Sequence, residues 1–285
     1  MDELVKAVKT VSREKTAPDG QKYESISISA VRDVAAQFSC LPQDVELAAL
    51  QSDILPERYQ RSMGTTGGTR GQALLLQSQA AVVGLGGLGG LVAELLARMG
   101  VGTLVLADGD RFSESNLNRQ LLATEQNLEE SKVSAAQKRI GQVNSAVRML
   151  PFEGIVDENN APDLLQGCQV VLDCLDNLTS RFLLETVCRD LGIPMVHGAI
   201  AQFVGQVSTI FPGDPGLEAI YGPLESGRDK GIEVELGNPA ATPALVAAWQ
   251  VQEAIKVLLG RGEPLQNRLL FIDGEQATCD IFQLG

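Results

Sequence analysis

The chain has 285 residues, 44 % of them apolar and 21 % charged, enough for a full core in one large or two small domains. No apolar run of about eighteen residues occurs, so no membrane span is expected, and Met1 to Thr16 lacks the apolar stretch of a secretory leader. A net charge of −13 speaks against broad nucleic-acid binding, and the five cysteines, an odd number without a C-x-x-C pair, support neither a disulfide framework nor a paired zinc knuckle.

The thiols read most simply as reduced, in a cytoplasmic protein. Residues 1–57 differ in pattern from the rest. Leu4 to Val11 is spaced for an amphipathic helix, and Ala17-Pro18-Asp19-Gly20 reads as a polar turn. Ser29 stands as a cap before Val31, Val34, Ala35 and Phe38, which share one helical face. Pro42 opens a short helix holding Val45, Leu47 and Leu50. The expectation is a small helical appendage over 1–57 and one main domain over 58–285.

From Gln79 strands and helices alternate. Ala80 to Val83 is a short buried strand, followed by a glycine-rich turn and a helix through Leu91, Leu95 and Met99. Thr103 to Ala107 is a second strand, Lys132 to Val143 a helix, and Val147 to Pro151 a further strand. Gln169 to Cys174 is an apolar strand, Arg181 to Leu191 a helix, and Pro194 to Ala199 a strand. Gly205 to Phe211 continues as a strand, and residues 212–240 are rich in Gly and Pro and read as a long loop. Pro243 to Leu259 is a helix stopped by Gly260, and Leu269 to Ile272 with Thr278 to Phe282 form a terminal hairpin around Asp273-Gly274. The expected fold class is α/β: a Rossmann-like, mainly parallel sheet with helices on both faces, extended by mixed strands.

Gly84-Leu85-Gly86-Gly87-Leu88-Gly89 lies between a strand and a helix. Glycines let the backbone turn sharply and let a phosphate approach, where a helix N-terminus offers free N–H groups. Gly84, Gly86, Gly87 and Gly89 are therefore nucleotide-binding candidates, with Asp108 at the end of the next strand for ribose hydroxyls. Such a turn fits NAD, FAD and ATP alike, and can also be a packing turn that binds nothing. The polar run Ser115-Asn116-Leu117-Asn118-Arg119-Gln120 follows Asp108 and Asp110, and Lys132 comes soon after. A dehydrogenase needs no such cluster. Nucleotidyl transfer does, because charge builds on non-bridging oxygens and on pyrophosphate. Asp173-Cys174-Leu175-Asp176-Asn177 ends another strand at the same edge. There Asp176 can hold Mg²⁺ against phosphates, while Asp173, Asp176 or Asn177 caps the next helix.

These pieces together resemble the ubiquitin-activating superfamily, in its branch of MoeB, ThiF and HesA adenylyltransferases. The resemblance is carried by Arg58-Tyr59-x-Arg61, the Gly84–Gly89 turn, Asp108-x-Asp110, Ser115 to Gln120, Lys132 and Asp176-Asn177. Gly198-Ala199-Ile200, Gly205-Gln206-Val207 and Gln250-x-x-Glu253-Ala254-x-Lys256 continue it, over roughly residues 58–285. It implies an enzyme that binds ATP and Mg²⁺ and adenylates the C-terminal glycine of a ubiquitin-like sulfur-carrier protein ending in Gly-Gly, with release of pyrophosphate. It assigns nucleotide contacts to Gly87, Asp108, Asn116, Arg119 and Lys132, and Mg²⁺ to Asp176. Gly84, Gly86, Gly89, Asp110, Ser115 and Asn177 complete the expected binding set. Arg61 resembles the arginine that family homodimers supply to the partner's site, so the catalytic set is Arg61, Arg119, Lys132 and Asp176.

Two departures stand out. Family members usually hold a structural zinc with two C-x-x-C pairs. Here the first pair's region reads Glu218-Ala219-Ile220-Tyr221-Gly222 and no pair closes the chain, so no structural zinc is expected. The loop before the last long helix, Val234 to Pro243, holds no cysteine, so the chemistry is expected to stop at the acyl-adenylate.

His197, the only histidine, has no proton to take from an already ionised carboxylate and is expected to pack or to stand behind the site. Cys168, Cys174 and Cys188 read as buried, and Trp249 as a core residue. Other readings are adenylation of another peptide or a small-molecule carboxylate, including one linked to tRNA, a non-catalytic nucleotide-binding scaffold, and a dehydrogenase. The charge of −13 disfavours tRNA.

Overall fold

Successive residues of a strand face opposite ways, and the central strands use this to bury both faces of one sheet. In the computed structural model, which describes residues 2–17, 20–224 and 237–284, Ala80 and Val82 join one apolar cluster while Ala81 and Val83 join another. The same alternation separates Leu104 and Leu106 from Val105, and Val170 and Leu172 from Val171. An apolar run without polar relief is the pattern of a parallel strand covered by helices on both sides.

In chain order the sheet strands are β4 (Gln79–Val83), β5 (Thr103–Asp108), β6 (Arg148–Glu153), β7 (Val170–Asp173), β8 (Met195–Ala201), β9 (Val204–Ile210), β10 (Arg268–Asp273) and β11 (Thr278–Gln283). Their spatial order is β11-β10-β9-β8-β7-β4-β5-β6. The pairs β4 with β5, β5 with β6, β4 with β7 and β7 with β8 are parallel. The pairs β8–β9, β9–β10 and β10–β11 are antiparallel. The chain thus starts at β4, runs outward to β6, then returns to β7 on the other side of β4. That reversal leaves a crevice at the C-terminal ends of β4 and β7, the place where open α/β sheets bind ligands.

Helix α6 (Gly89–Met99) follows β4, α7 (Lys132–Val143) precedes β6, α8 (Ala161–Leu165) precedes β7, and α9 (Leu178–Leu191) follows it. The short α10 (Leu217–Tyr221) lies within the stretch expected as loop, and α11 (Ala241–Leu259) packs against α6, β8 and β9. Part of the stretch Val234 to Pro243 lies outside the described residues. Trp249 is not a core residue: 40 % of it is exposed, because α11 turns Val246, Ala247, Gln250 and Val251 to the sheet and leaves Leu245 and Trp249 on its outer face.

Residues 1–57 carry α1 (Asp2–Val11), α2 (Ile28–Phe38) and α3 (Pro42–Leu50). They also carry three strands that the helical expectation lacked: β1 (Arg13–Thr16), β2 (Lys22–Ile26) and β3 (Ile54–Pro56). β1 pairs antiparallel with β2, and β2 parallel with β3. Val8, Ile26, Val31, Val34, Val45 and Ile54 form a separate cluster beneath them. The cap of α2 is Ser27, whose hydroxyl accepts from Ala30 N at 3.3 Å, and not Ser29. Pro18 and Asp19 of the expected turn lie outside the described residues. Between the two parts, a 3₁₀ turn over Glu57–Ser62, α4 (Met63–Thr66) and α5 (Gly68–Gln77) connect β3 to β4.

Candidate active site

The glycine turn joins β4 to α6 at the reversal point. Gly84 has φ of 88°, and a Cβ there would lie 2.6 Å from the Cys174 carbonyl oxygen at the end of β7. Gly89 opens α6, and a Cβ on it would sit 1.7 Å from the Gly84 oxygen. Both positions demand glycine for packing alone. Above them lies a cavity of about 860 Å³, within the range of small-molecule sites.

Gly84, Gly86 and Gly87 line this cavity, as do Asp108, Asp110 and Ser115. Arg119, Lys132, Asp176 and Asn177 line it too. Gly89, Asn116 and Arg61 do not. Asn116 uses its Oδ1 to accept from Ser113 N at 3.0 Å and so holds the turn that carries Ser115. Arg61 sits exposed on the 3₁₀ turn, away from the cavity of its own chain.

The β5 side is tightly wired. Asp108 Oδ2 accepts from Leu85 N at 2.6 Å, and Oδ1 from Asp110 N at 2.7 Å. Burial raises its carboxyl above the ordinary range, against the pull of Lys132 and the two amides. Lys132 is the first residue of α7, after the cap Ser131, and its side chain is only 7 % exposed. Its Nζ stands 2.8 Å from Asp110 Oδ2 and 3.8 Å from Asp108 Oδ2. Arg119 Nη1 donates to Ser115 O at 3.1 Å and to Asn118 Oδ1 at 3.0 Å.

The β7 side is built differently. Asn177 is the cap of α9, its Oδ1 accepting from Ser180 N at 2.8 Å. Asp176 is exposed, its Oδ1 3.4 Å from Asn177 Nδ2. Asp173 is no cap: it is fully buried and paired with His197, whose Nδ1 lies 2.7 Å from Asp173 Oδ2. His197 is fully buried, and Cys168, Cys174 and Cys188 are buried as well. Burial pushes the Cys174 thiol well above its usual value.

Gln120 and Ile200, from two stretches that carry the resemblance, line the cavity as well, and it contains residues that local pattern does not single out: Gly154 to Val156 after β6, Arg181 and Asn238. For Arg181 a signal existed. A cation in the first turn of a helix opposes the helix dipole, so an arginine there asks for a partner, and it has one in Asp173 at 4.0 Å.

With this geometry the chain can be compared with known proteins. The profile of the ThiF family matches residues 59–285. The chain belongs to the ThiF family. It is 38 % identical over 213 residues to the SAMP-activating enzyme E1 of Haloferax volcanii, a match covering 75 % of this chain and 79 % of that protein. It is 36 % identical over 231 residues to the sulfur carrier protein adenylyltransferase of Thermus thermophilus, covering 78 % and 84 % respectively. Among solved structures, PaaA superposes with a TM-score of 0.68 at 21 % identity, covering 80 % of this chain and 82 % of that one. E. coli MccB with ATP gives 0.66 at 19 % identity, covering 84 % and 82 %. Likeness at that level of identity speaks for the fold alone. The named sequence relatives include adenylyltransferases, and this chain is an adenylyltransferase.

Proposed function

We propose that the chain uses ATP and Mg²⁺ to adenylate the C-terminal glycine of a ubiquitin-like sulfur-carrier protein, of the kind serving molybdenum or tungsten cofactor or thiamine synthesis. The observation that carries this is the convergence of Arg119, Lys132 and Asp176, from three separate segments, on one cavity beside the glycine turn. The activities for which the two sequence relatives are named support the substrate class.

The residues fit a triphosphate. A Cβ at Gly87 would fill the space between Pro243, 3.6 Å away, and Arg119, 3.7 Å away. They also fit Mg²⁺ held jointly with phosphates. Asp176 offers an exposed carboxylate. Among the described residues no three His, Cys, Asp or Glu side chains converge on a metal, and Mg²⁺ commonly takes one or two carboxylates with water and phosphate oxygens. Bound there, Mg²⁺ would neutralise charge on the phosphate oxygens.

In the proposed reaction a carrier carboxylate oxygen attacks the α-phosphorus, the bond to the bridging oxygen of the β-phosphate breaks, and pyrophosphate leaves. No proton moves, because the carboxylate is already ionised near neutral pH. Lys132 and Arg119 meet charge growing on the phosphates, the first as a point charge and the second as a planar fork. Asp108 accepts from ribose hydroxyls. Ser115 and Asn116 shape the loop that carries Arg119. Arg61 serves the partner subunit's cavity in a homodimer.

Within this proposal residues 1–57 are an N-terminal unit and residues 58–285 the adenylation domain. No zinc enters, since the sequence has no C-x-x-C pair. The protein works in the cytoplasm, where thiols stay reduced; no helix of the described residues is long and apolar enough to cross a membrane. The test is ATP–pyrophosphate exchange with purified carriers. Exchange is expected only with a carrier ending in Gly-Gly; exchange indifferent to the carrier's last two residues would contradict the proposal.

A further inference from the structure

A run of buried and half-buried polar side chains leads away from the cavity across β7, β8 and β9 to α10. At its outer end the Gln206 side-chain amide donates to the Tyr221 hydroxyl. The Tyr221 oxygen lies 3.0 Å from His197 Nε2, and His197 Nδ1 lies 2.7 Å from Asp173 Oδ2. Asp173 Oδ1 accepts from Leu175 N at 3.1 Å, and Arg181 donates through Nη2 to the Leu175 carbonyl. Leu175 and Asp176 follow directly in the chain. The His197 and Tyr221 rings meet edge-to-face, 5.7 Å between centroids.

The direction of each bond follows from charge. Burial opposes ionisation of Asp173, but the Arg181 charge and the bonds from His197 and Leu175 outweigh it and hold the carboxyl below its usual range. Burial holds the imidazole below its usual value as well, against the Asp173 bond. A neutral ring beside a carboxylate carries its proton on Nδ1, so Nε2 accepts, and the Tyr221 hydroxyl must donate to it. The Tyr221 oxygen accepts from Gln206 and, at 3.4 Å, from Arg181 Nη1 while its hydroxyl donates to His197, so the chain runs Gln206 to Tyr221 to His197 to Asp173 with Arg181 beside it. Such a network costs desolvation that an apolar core would avoid. It ends on the two groups, Asp173 and Arg181, that fix the turn between β7 and α9.

We propose that Tyr221 and His197 are positioning residues for adenylyl transfer: through Asp173 and Arg181 they set the Cys174–Asn177 turn that presents Asp176 to the cavity, an inference that rests on the role given to Asp176 above. Neither touches the nucleotide. They link α10 to the catalytic edge, so the site's geometry depends on how α10 is seated.

Tyr221→Phe keeps the ring contact and deletes the hydroxyl. In full-length protein, kcat of carrier-dependent exchange is expected to fall about tenfold, the usual scale for a group that orients a ligand-bearing side chain, with KM for ATP within about twofold. The single histidine supplies a second readout. In ¹⁵N NMR the wild-type imidazole is expected as one Nδ1–H tautomer whose resonance moves on addition of a non-hydrolysable ATP analogue with Mg²⁺. In Tyr221→Phe the Nε2 signal shifts and the response to nucleotide is lost. Asp176→Asn is the companion variant. If it works at wild-type speed, the role of Asp176 and this proposal both fall. If it is inactive while Tyr221→Phe keeps kcat within about twofold of wild type, or while the wild-type imidazole ignores nucleotide, only the positioning role falls. Should Tyr221→Phe melt more than about 10 °C below wild type, beyond what one hydrogen bond costs, Gln206→Leu tests the same chain from its outer end. There a kcat loss at unchanged KM supports the role and no loss overturns it.

Discussion

The two walls of the cavity are held by different means. On the β5 side, Asp108 is clamped by the amides of Leu85 and Asp110, and Lys132 is locked between two carboxylates. All of these contacts lie within the loops that follow β4 and β5 or at the head of α7. On the β7 side, Asp176 stands exposed, and the groups that fix its turn lie behind it, on α9, β8, β9 and α10. The difference teaches that one wall is set by local chain geometry and the other by tertiary contacts. A local wall suits ground-state binding. A wall set from behind can lose its geometry through distant changes while binding survives.

The largest expected effect breaks the second wall directly. Asp176→Ala is expected to cut carrier-dependent exchange by about a hundredfold or more, the scale seen when a charge-stabilising group is removed, while nucleotide still binds to the β5 wall. Exchange within about threefold of wild type would remove Asp176 from the chemistry.

A second effect asks whether the cavity needs a group that neither wall supplies. Arg61→Ala and Lys132→Ala, each inactive alone, are expected to recover roughly a quarter of wild-type activity when their subunits exchange at equal amounts, because half the dimers then hold one intact site. Proven exchange without recovery would assign Arg61 to its own chain.

The smallest effect compares the walls by pH. The imidazole of His197 is held below its usual value, so the unfolded chain binds a proton that the folded chain refuses. Stability from this group is present above the unfolded value of about 6.5 and is lost as pH falls below it. Asp173, held low, adds a loss in the same direction as pH drops below the usual carboxylate value of about 4. Asp108, held high, acts oppositely, lowering stability as pH rises through the span above that value. The melting temperature of His197→Gln is therefore expected to fall less between pH 6.5 and pH 5 than that of wild type. Parallel curves would show that the ring titrates normally.

What could be read in advance follows the same division. The Gly84–Gly89 turn, Asp108, Lys132 and the helix over Lys132–Val143 are local features, and the sheet's central strands announce themselves by apolar runs. Tyr221 gave little notice because its partners Gln206 and His197 lie 15 and 24 residues away, and Arg181 gave only the signal of a cation in a helix's first turn, since its partners stand on β7 and β8. β1 and β2 give no strand signal, since Arg-Glu-Lys-Thr exposes three of its four side chains and Lys-Tyr-Glu-Ser-Ile, though its last two residues are buried, lacks an apolar rhythm. The helix α5 has a glycine at Gly68 and another at Gly71, residues that weaken helix propensity. Gly71 is required there because a Cβ would lie 1.7 Å from the Thr66 carbonyl oxygen.

The central claim, adenylation of a carrier's terminal carboxylate, is tested most directly by the mass of the carrier itself. Incubated with the enzyme, ATP and Mg²⁺ and then quenched in acid, a carrier ending in Gly-Gly is expected to gain one adenylyl group. The gain should be absent when its last glycine is removed or when Asp176→Ala replaces the enzyme. A carrier that stays unmodified while ATP is consumed, or that is adenylated equally without its terminal glycine, would contradict the account.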